Sequence, residues 1–269
     1  MTDRYAVIGQ PVAHSQSPLI HARFAEQTGA QLSYEKIEVA PEALASTLTR
    51  LHAEGYGGLN ITLPHKLAVV TLCEQVSERA QLAGAVNVLV RSDSGWRGDN
   101  SDGEGLIADL KNNLGLAVTG RRVLLLGASG AARGVLKPLL DEKPAELTLS
   151  NRSPWKPEEI AEQFKAHGKI RPCTHLALKG DLFDLVINAT SAGHSGQVVK
   201  LPGQLLAAEG SCYDLNYGKV FEPFAAWAKS QGAKQIADGL GMLVEQAAVS
   251  YALWRGLRPA TQPVIAGLR

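Results

Sequence analysis

The chain has 269 residues, 45% hydrophobic and 20% charged, which is the composition of a globular protein long enough for two domains that each bury a core. A net charge of +1 without any run of like charge recommends neither a nucleic-acid nor a membrane-surface partner. Cys73, Cys173 and Cys212 lie far apart, with no spacing for a metal or a redox pair, and fit a reducing compartment. Met1-Thr2-Asp3-Arg4 lacks the basic and apolar regions of a signal peptide, and no run of roughly 18 apolar residues occurs. A cytoplasmic location, a small-molecule partner and no metal are expected.

The first hundred residues alternate strand-like and helix-like segments. Tyr5-Ala6-Val7-Ile8, stopped by Gly9, reads as a buried strand. Ser17-Pro18 opens a helix, where the serine can cap free amides and the proline lacks the N–H that would be orphaned there. Leu44, Leu48 and Leu51, spaced i, i+4 and i+7 behind Pro41, predict an amphipathic helix. Gly58 to Thr62 reads as a strand running into a turn at Pro64, and a helix is predicted over 66–74. Ala85 to Val90 is a further apolar run, interrupted by Asn87.

A second unit begins near Gly103, with Leu106, Leu110 and Leu114 at helical spacing. Arg122 to Gly127 is the most strand-like run in the chain; a helix over 130–141 and a strand over 146–150 follow. That is a βαβ unit, which implies parallel strands and a right-handed crossover. Phe183 to Asn188 and Cys212 to Leu215 look like later strands of the same sheet. Leu243, Ala247, Tyr251 and Trp254 share one face of a long helix that stops at Gly256, ahead of Pro259. No strand lies near it in sequence, so it is expected to return to the first domain. The expected fold is α/β with two domains, a discontinuous one from 1–102 and 239–269, and a Rossmann-type one from 103–238. Two crossings, near Gly103 and Gly239, suit hinge motion.

Gly127-Ala128-Ser129-Gly130-Ala131-Ala132 joins a strong strand to a helix, where backbone amides and the positive helix end can face a pyrophosphate. Ser129 stands where the dinucleotide fingerprint has its middle glycine, and a tight turn without a ligand would also explain the segment. After the next strand an NAD site places a carboxylate for the ribose 2′-hydroxyl. Here Asn151-Arg152-Ser153 is followed by Lys156, so two cations stand in its place and favour a 2′-phosphate, hence NADP. A solvated turn is the other reading of Arg152.

Lys66 follows Asn60-Ile61-Thr62-Leu63-Pro64-His65, and Asp102 sits within Gly98-Asp99-Asn100-Ser101-Asp102-Gly103. A lysine tuned by burial or a neighbouring charge can donate a proton, and a carboxylate can hold it in place. By itself Lys66 also fits a surface lysine. Its company argues otherwise: Ser15, Ser17, Asn60, Thr62, Asn87 and Asp102 follow strand-like runs at polar turns, and small donors and acceptors suit a ligand with several hydroxyls. His14 and His65 read as neighbours without an assigned role.

Over essentially its whole length the chain resembles the shikimate dehydrogenase family. The resemblance is carried in order by 14–18, Asn60 to Lys66, Gly84-Ala85-Val86-Asn87, Gly98 to Gly103, the loop at Gly127 and Asn151-Arg152-Ser153. It continues with Asn188-Ala189-Thr190-Ser191, Tyr213-Asp214-Leu215-Asn216-Tyr217, and Asp238 to Met242 with Gln246. It implies reduction of 3-dehydroshikimate to shikimate with NADPH, on the route to chorismate and aromatic amino acids. It implies Lys66 as acid/base, Asp102 orienting it, and Ser15, Ser17, Asn60, Thr62, Asn87, Asp102, Tyr217 and Gln246 on the substrate. NADP positions are implied at Gly127, Ala128, Ser129, Gly130, Ala131, Asn151, Arg152, Ser153, Lys156, Thr190, Leu215 and Gly239, with Glu78 near the nicotinamide end. Four positions depart from the family pattern. Ser129 replaces a glycine, Ser101 a threonine, Lys156 a second arginine and Leu215 a methionine. Ser129 and Lys156 bear on cofactor affinity, since lysine cannot clamp a phosphate in bidentate fashion. A quinate/shikimate dehydrogenase with relaxed substrate or cofactor use, and a non-catalytic NADP-binding regulator, are the alternatives; a monomer or homodimer is expected.

Overall fold

In the computed structural model, which describes residues 2–269, the first apolar run is the middle of strand β1 (Asp3–Gly9), where Tyr5, Ala6, Val7 and Ile8 are all buried. Helix α1 (Ser17–Thr28) follows and stops at Gly29, whose φ of 67° is the left-handed conformation glycine adopts without penalty. Ser17 is the first helical residue and not the cap. Gln16 holds that place without a side-chain bond, and Ser15 Oγ accepts the Ser17 amide at 3.3 Å. Next come β2 (Leu32–Glu38), α2 (Leu44–Ala53), β3 (Tyr56–Ile61), the two-residue β4 (Gln75–Val76), α3 (Glu78–Ala83), β5 (Val88–Arg91), β6 (Trp96–Asp99) and α4 (Asp102–Ala108).

The predicted helix over 66–74 is reduced to a 3₁₀ turn at Ala68–Leu72. The Lys66 carbonyl accepts the Val86 amide at 2.8 Å, while the Val70 amide that a helix would send to it turns to the Leu67 carbonyl at 3.4 Å.

Strands β1 to β6 form one mixed sheet in the order β2-β1-β3-β5-β6-β4, with β3, β5 and β6 antiparallel to one another in turn. Alternation along β1 and β3 sends Ala6, Ile8, Leu59 and Ile61 into a core shared with Leu44, Leu48 and Leu51 of α2. At about 1.5–3 kcal/mol for each fully buried aliphatic side chain, that stripe holds the helix on the sheet.

The second run of elements is β7 (Arg122–Leu126), α5 (Gly130–Asp141), β8 (Glu146–Asn151), α6 (Trp155–Phe164), β9 (Ile170–Thr174), β10 (Phe183–Asn188), β11 (Leu206–Asp214), α7 (Glu222–Ser230) and β12 (Gln235–Ala237). Its six strands pair in the order β12-β11-β10-β7-β8-β9, every neighbour parallel. Val123, Leu124, Leu125 and Leu126 are fully buried, as a strand covered on both faces requires. Strand order steps outward from β7 in both directions, the doubly wound pattern whose ligands bind at the carboxyl ends of the strands.

Two helices close the chain, α8 (Leu240–Arg255) and α9 (Gln262–Ala266). Val244, Ala247, Ala248 and Tyr251 of α8 and Val264 of α9 pack with Ile20 and Phe24 of α1. The chain divides accordingly into two units. One runs to Ala108 and resumes at Leu243–Arg269; the other is Asp109–Met242. No described helix is long and apolar enough to cross a membrane.

Candidate active site

β3 enters the polar cluster through Asn60, whose side chain is buried at 5% exposure. Thr62 follows as the strand ends, its amide donating to the Ile8 carbonyl at 2.9 Å. The turn behind it is anchored by His65, whose buried ring nitrogen Nε2 lies 2.7 Å from the Val39 carbonyl. His65 is therefore a fastener for the loop, and Lys66 is the next residue.

Lys66 Nζ lies 2.5 Å from Asp102 Oδ2, with only 14% and 6% of the two side chains exposed. A charge-assisted bond this short and this dry is strong, and removing either partner strands the other charge. Asp102 is the first residue of α4, where the free amides of a helix start favour a carboxylate. Its own amide donates to Asn100 Oδ1 at 3.0 Å, while Asn87 Nδ2 donates to its second oxygen, Oδ1, at 2.8 Å. Asn87 Oδ1 takes the Ser101 amide at 2.8 Å, and Asn87 Nδ2 is 3.3 Å from Gln246 Oε1. Contrary to the reading of Asn87 as following a strand, it precedes β5 and follows Val86, whose amide donates to the Lys66 carbonyl. Ser15 and Ser17 hydroxyls lie 3.1 Å apart at the start of α1.

Hydrogen bonds thus link Lys66, Asp102, Asn87, Gln246 and Asn60 within one unit, the last through the Asn87 carbonyl at 3.4 Å and through Ser250. Asp99 supports the same turn. Burial pushes its carboxyl upward, but Arg79 at 2.6 Å and Ser77 at 2.5 Å outweigh that and hold it below the ordinary range. Glu78 is exposed in the first turn of α3.

The glycine-rich loop leaves β7 at the carboxyl end of the parallel sheet. Gly127 has φ of 104°, and a Cβ there would stand 2.9 Å from the Ala189 carbonyl, so only glycine fits. Ser129 occupies ordinary extended space (φ −87°, ψ 176°) and caps α5 by accepting the Ala132 amide. Its hydroxyl also donates to the Ala189 carbonyl at 3.2 Å. Its place in the loop therefore needs no glycine. Ala128 and Ala131 flank it half-buried, and Gly130 starts the helix.

Asn151 and Ser153 are half-buried after β8, whereas Arg152 and Lys156 are exposed. Among the described residues neither cation has an ion-pair partner; Lys156 instead sits 5.3 Å above the Trp155 ring. Two unneutralised cations at a strand end beside helix amides suit a phosphate, which is the chemistry an NADP site requires here.

A third loop of this unit is organised by Asp214, which the motif carried without a role. It accepts from Asn188 Nδ2 at 3.0 Å, the Asn216 amide at 2.9 Å and Asn216 Nδ2 at 2.8 Å. Asn188 Oδ1 in turn takes both the amide and hydroxyl of Thr190. Thr190 and Leu215 are thereby fixed at neighbouring strand ends, and Tyr217 follows two residues on, half-buried. Gly239 is buried with no room for a Cβ, which would meet the Leu215 carbonyl at 2.2 Å. Burial raises the Asp214 carboxyl to about 6, with the three amide donors opposing it. Among the described residues no group of three or more His, Cys, Asp or Glu could hold a metal ion.

Comparisons with known proteins agree on one family. Family models match in three consecutive stretches: residues 7–89 to "Shikimate dehydrogenase substrate binding domain", 109–199 to "Shikimate / quinate 5-dehydrogenase" and 239–269 to "Shikimate 5'-dehydrogenase C-terminal domain". The chain is 49% identical to the shikimate dehydrogenase (NADP(+)) of Nitrosospira multiformis, covering 100% of this chain and 98% of that one. Among solved structures it is similar to an Ael1 enzyme from Pseudomonas putida, with a TM-score of 0.91 and 44% identity over 99% of this chain and 98% of that one. It is also similar to the shikimate 5-dehydrogenase of Thermus thermophilus in complex with NADP(H) and shikimate, with a TM-score of 0.85 and 33% identity over 98% of each chain.

Proposed function

The chain belongs to the shikimate dehydrogenase family, and from that premise we propose that it reduces 3-dehydroshikimate reversibly to shikimate with NADPH, on the route to chorismate and aromatic amino acids. The observation that carries the chemical part of the reading is the Lys66–Asp102 contact of 2.5 Å inside a polar cluster.

NADPH, when bound, supplies the hydride that reduces C3 of the substrate. The side chains supply the rest. As the C3 oxygen gathers negative charge, the Lys66 ammonium gives it a proton, so the ketone becomes a secondary alcohol; in the oxidising direction the neutral amine takes that proton back. Asp102 orients the ammonium and keeps it from swinging into solvent. Ser15, Ser17, Asn60, Thr62, Asn87, Tyr217 and Gln246 bind the carboxylate and hydroxyls, and Asp102 a neighbouring hydroxyl. On the cofactor side, the loop formed by Gly127, Ala128, Ser129, Gly130 and Ala131 would receive the pyrophosphate, with the Gly127 amide itself spent on the Ser150 carbonyl at 2.8 Å. Asn151, Arg152, Ser153 and Lys156 receive the adenosine 2′-phosphate, while Thr190, Leu215 and Gly239, with Glu78, attend the nicotinamide end. A cytoplasmic enzyme, monomeric or homodimeric, is the form we expect.

The test crosses shikimate and quinate against NADP+ and NAD+ and follows reduced cofactor by its absorbance. Turnover of shikimate with NADP+ well above the other three pairs is expected. No turnover with that pair would overturn the reading.

A further inference from the structure

Asn60 is held by a residue that no motif singles out. Tyr34, in the middle of β2, donates its hydroxyl to Asn60 Oδ1 at 2.7 Å. The direction of that bond follows from the other end of the amide. Ser250 Oγ gives its one hydrogen to the Gln246 carbonyl at 3.1 Å, so toward Asn60 it can only accept, and it faces Nδ2 at 2.9 Å. The Asn87 carbonyl, which has no hydrogen to give, faces the same nitrogen at 3.4 Å. Both amide hydrogens of Asn60 are committed, and its oxygen must be the atom that Tyr34 meets. One lone pair of Oδ1 is all that Asn60 has left to offer.

Tyr34 is itself held in place. Its ring stacks on the His21 imidazole with centroids 4.3 Å apart and planes within 8°. His21 lies one helical turn after Ser17 on α1 and is fully buried, with neither ring nitrogen hydrogen-bonded among the described residues. Burial drives the His21 pKa down to about 3, so the platform under Tyr34 is uncharged. Burial also raises the Tyr34 phenol well above its ordinary value, with the Ser17 hydroxyl opposing, so the phenol keeps the hydrogen it donates.

We propose that Tyr34 is a positioning residue that acts through Asn60: it locks the amide so that Asn60 meets the substrate with a lone pair only and reads a hydroxyl by accepting its hydrogen. The proposal rests on the assignment of Asn60 to the substrate made above. An amide free to turn over would accept or donate, and would pass ligand groups that carry no hydrogen.

The test is a double-mutant cycle. Tyr34→Phe keeps the ring on His21 and removes only the donor. It should raise the KM for shikimate about tenfold, the size of one lost hydrogen bond, with kcat within about twofold. The KM for NADP+ should not move. In an Asn60→Ala background the same substitution should change the shikimate KM by less than about twofold, because its target is gone. Ser250→Ala, which releases the amide from the opposite side, should raise the shikimate KM in the same direction and serves if Tyr34→Phe folds poorly. Full additivity with Asn60→Ala, an unchanged shikimate KM in Tyr34→Phe, or an equal rise for NADP+ would each overturn the proposal. Failure of the functional reading looks different, since the unmutated enzyme would not oxidise shikimate. The cycle then runs on shikimate binding by calorimetry, and the same outcomes decide it.

Discussion

Lys66 and Asp102 are buried together, so losing the lysine leaves the carboxylate without its charge partner. Lys66→Ala removes the proposed proton donor but leaves the groups proposed to bind the hydroxyls, so kcat should fall by about 10²–10⁴ while shikimate binding changes little. Steady-state kinetics beside calorimetry separates the two, and retention of most turnover would sink the acid/base role. Arg152→Ala should raise the KM for NADPH and barely alter NADH use, because the role proposed for the exposed guanidinium is to read the extra phosphate. An equal loss with both cofactors would show that Arg152 does something else. His21 makes a prediction about acid. Its folded value of about 3 lies below the ordinary 6.5, so from 6.5 downward the unfolded chain takes up a proton that the native chain refuses. That stability is complete above pH 6.5 and drains away as the pH falls toward 3, by up to a few kcal/mol. Asp214, raised from 3.8 to about 6, works in the opposite sense across 3.8–6, its native form holding the proton longer. The His21 part is therefore read by difference: between pH 7 and 5 the urea midpoint should drop less in His21→Phe than in the wild type. Lys66 and Asp102 were legible because lysine and aspartate stand in conspicuous polar turns. Tyr34, Ser250 and Asp214 were not, since a tyrosine in a strand or a serine in a helix looks the same whether it packs or orients.

At the scale of elements, the cap of α5 shows how a local departure is absorbed. Ser129 holds the Ala132 amide from extended space, so Ser129→Ala should cost about 1 kcal/mol and Ser129→Gly only a few tenths. Thermal unfolding of the two variants checks the order; a larger loss in the glycine variant would mean that the hydroxyl is not a cap. The βαβ unit around this loop was readable because Val123 to Leu126 of β7 is an unbroken apolar run, the mark of a strand covered on both faces. The mixed sheet was harder. β2 is an edge strand whose residues are all exposed or half-buried, so it carries no apolar run. β4 has two residues, and β6 mixes Trp96 with Arg97, Gly98 and Asp99. In place of the helix predicted over 66–74, the Lys66 carbonyl pairs with the amide of the distant Val86 and a short 3₁₀ turn follows, a pairing no local pattern can announce.

For the molecule as a whole, the division of the chain decides what can stand alone. Asp109–Met242 is one continuous stretch with its own six-stranded sheet, and as a fragment it should unfold cooperatively and bind 2′,5′-ADP. The stretch ending at Ala108 lacks the helices that cover Ile20 and Phe24 and should stay largely unfolded until Leu243–Arg269 is supplied in trans. Circular dichroism of the fragments, alone and mixed, is the measurement, and a stable first fragment without its complement would contradict it. During synthesis the same division becomes an order of events. The ribosome delivers Lys66 and Asp102 early and Gln246 and Ser250 last, so the middle of the chain can reach its fold while the beginning waits for the end. A nascent chain stalled before α8 would hold a complete parallel sheet and a first unit still missing the helices that cover Ile20 and Phe24.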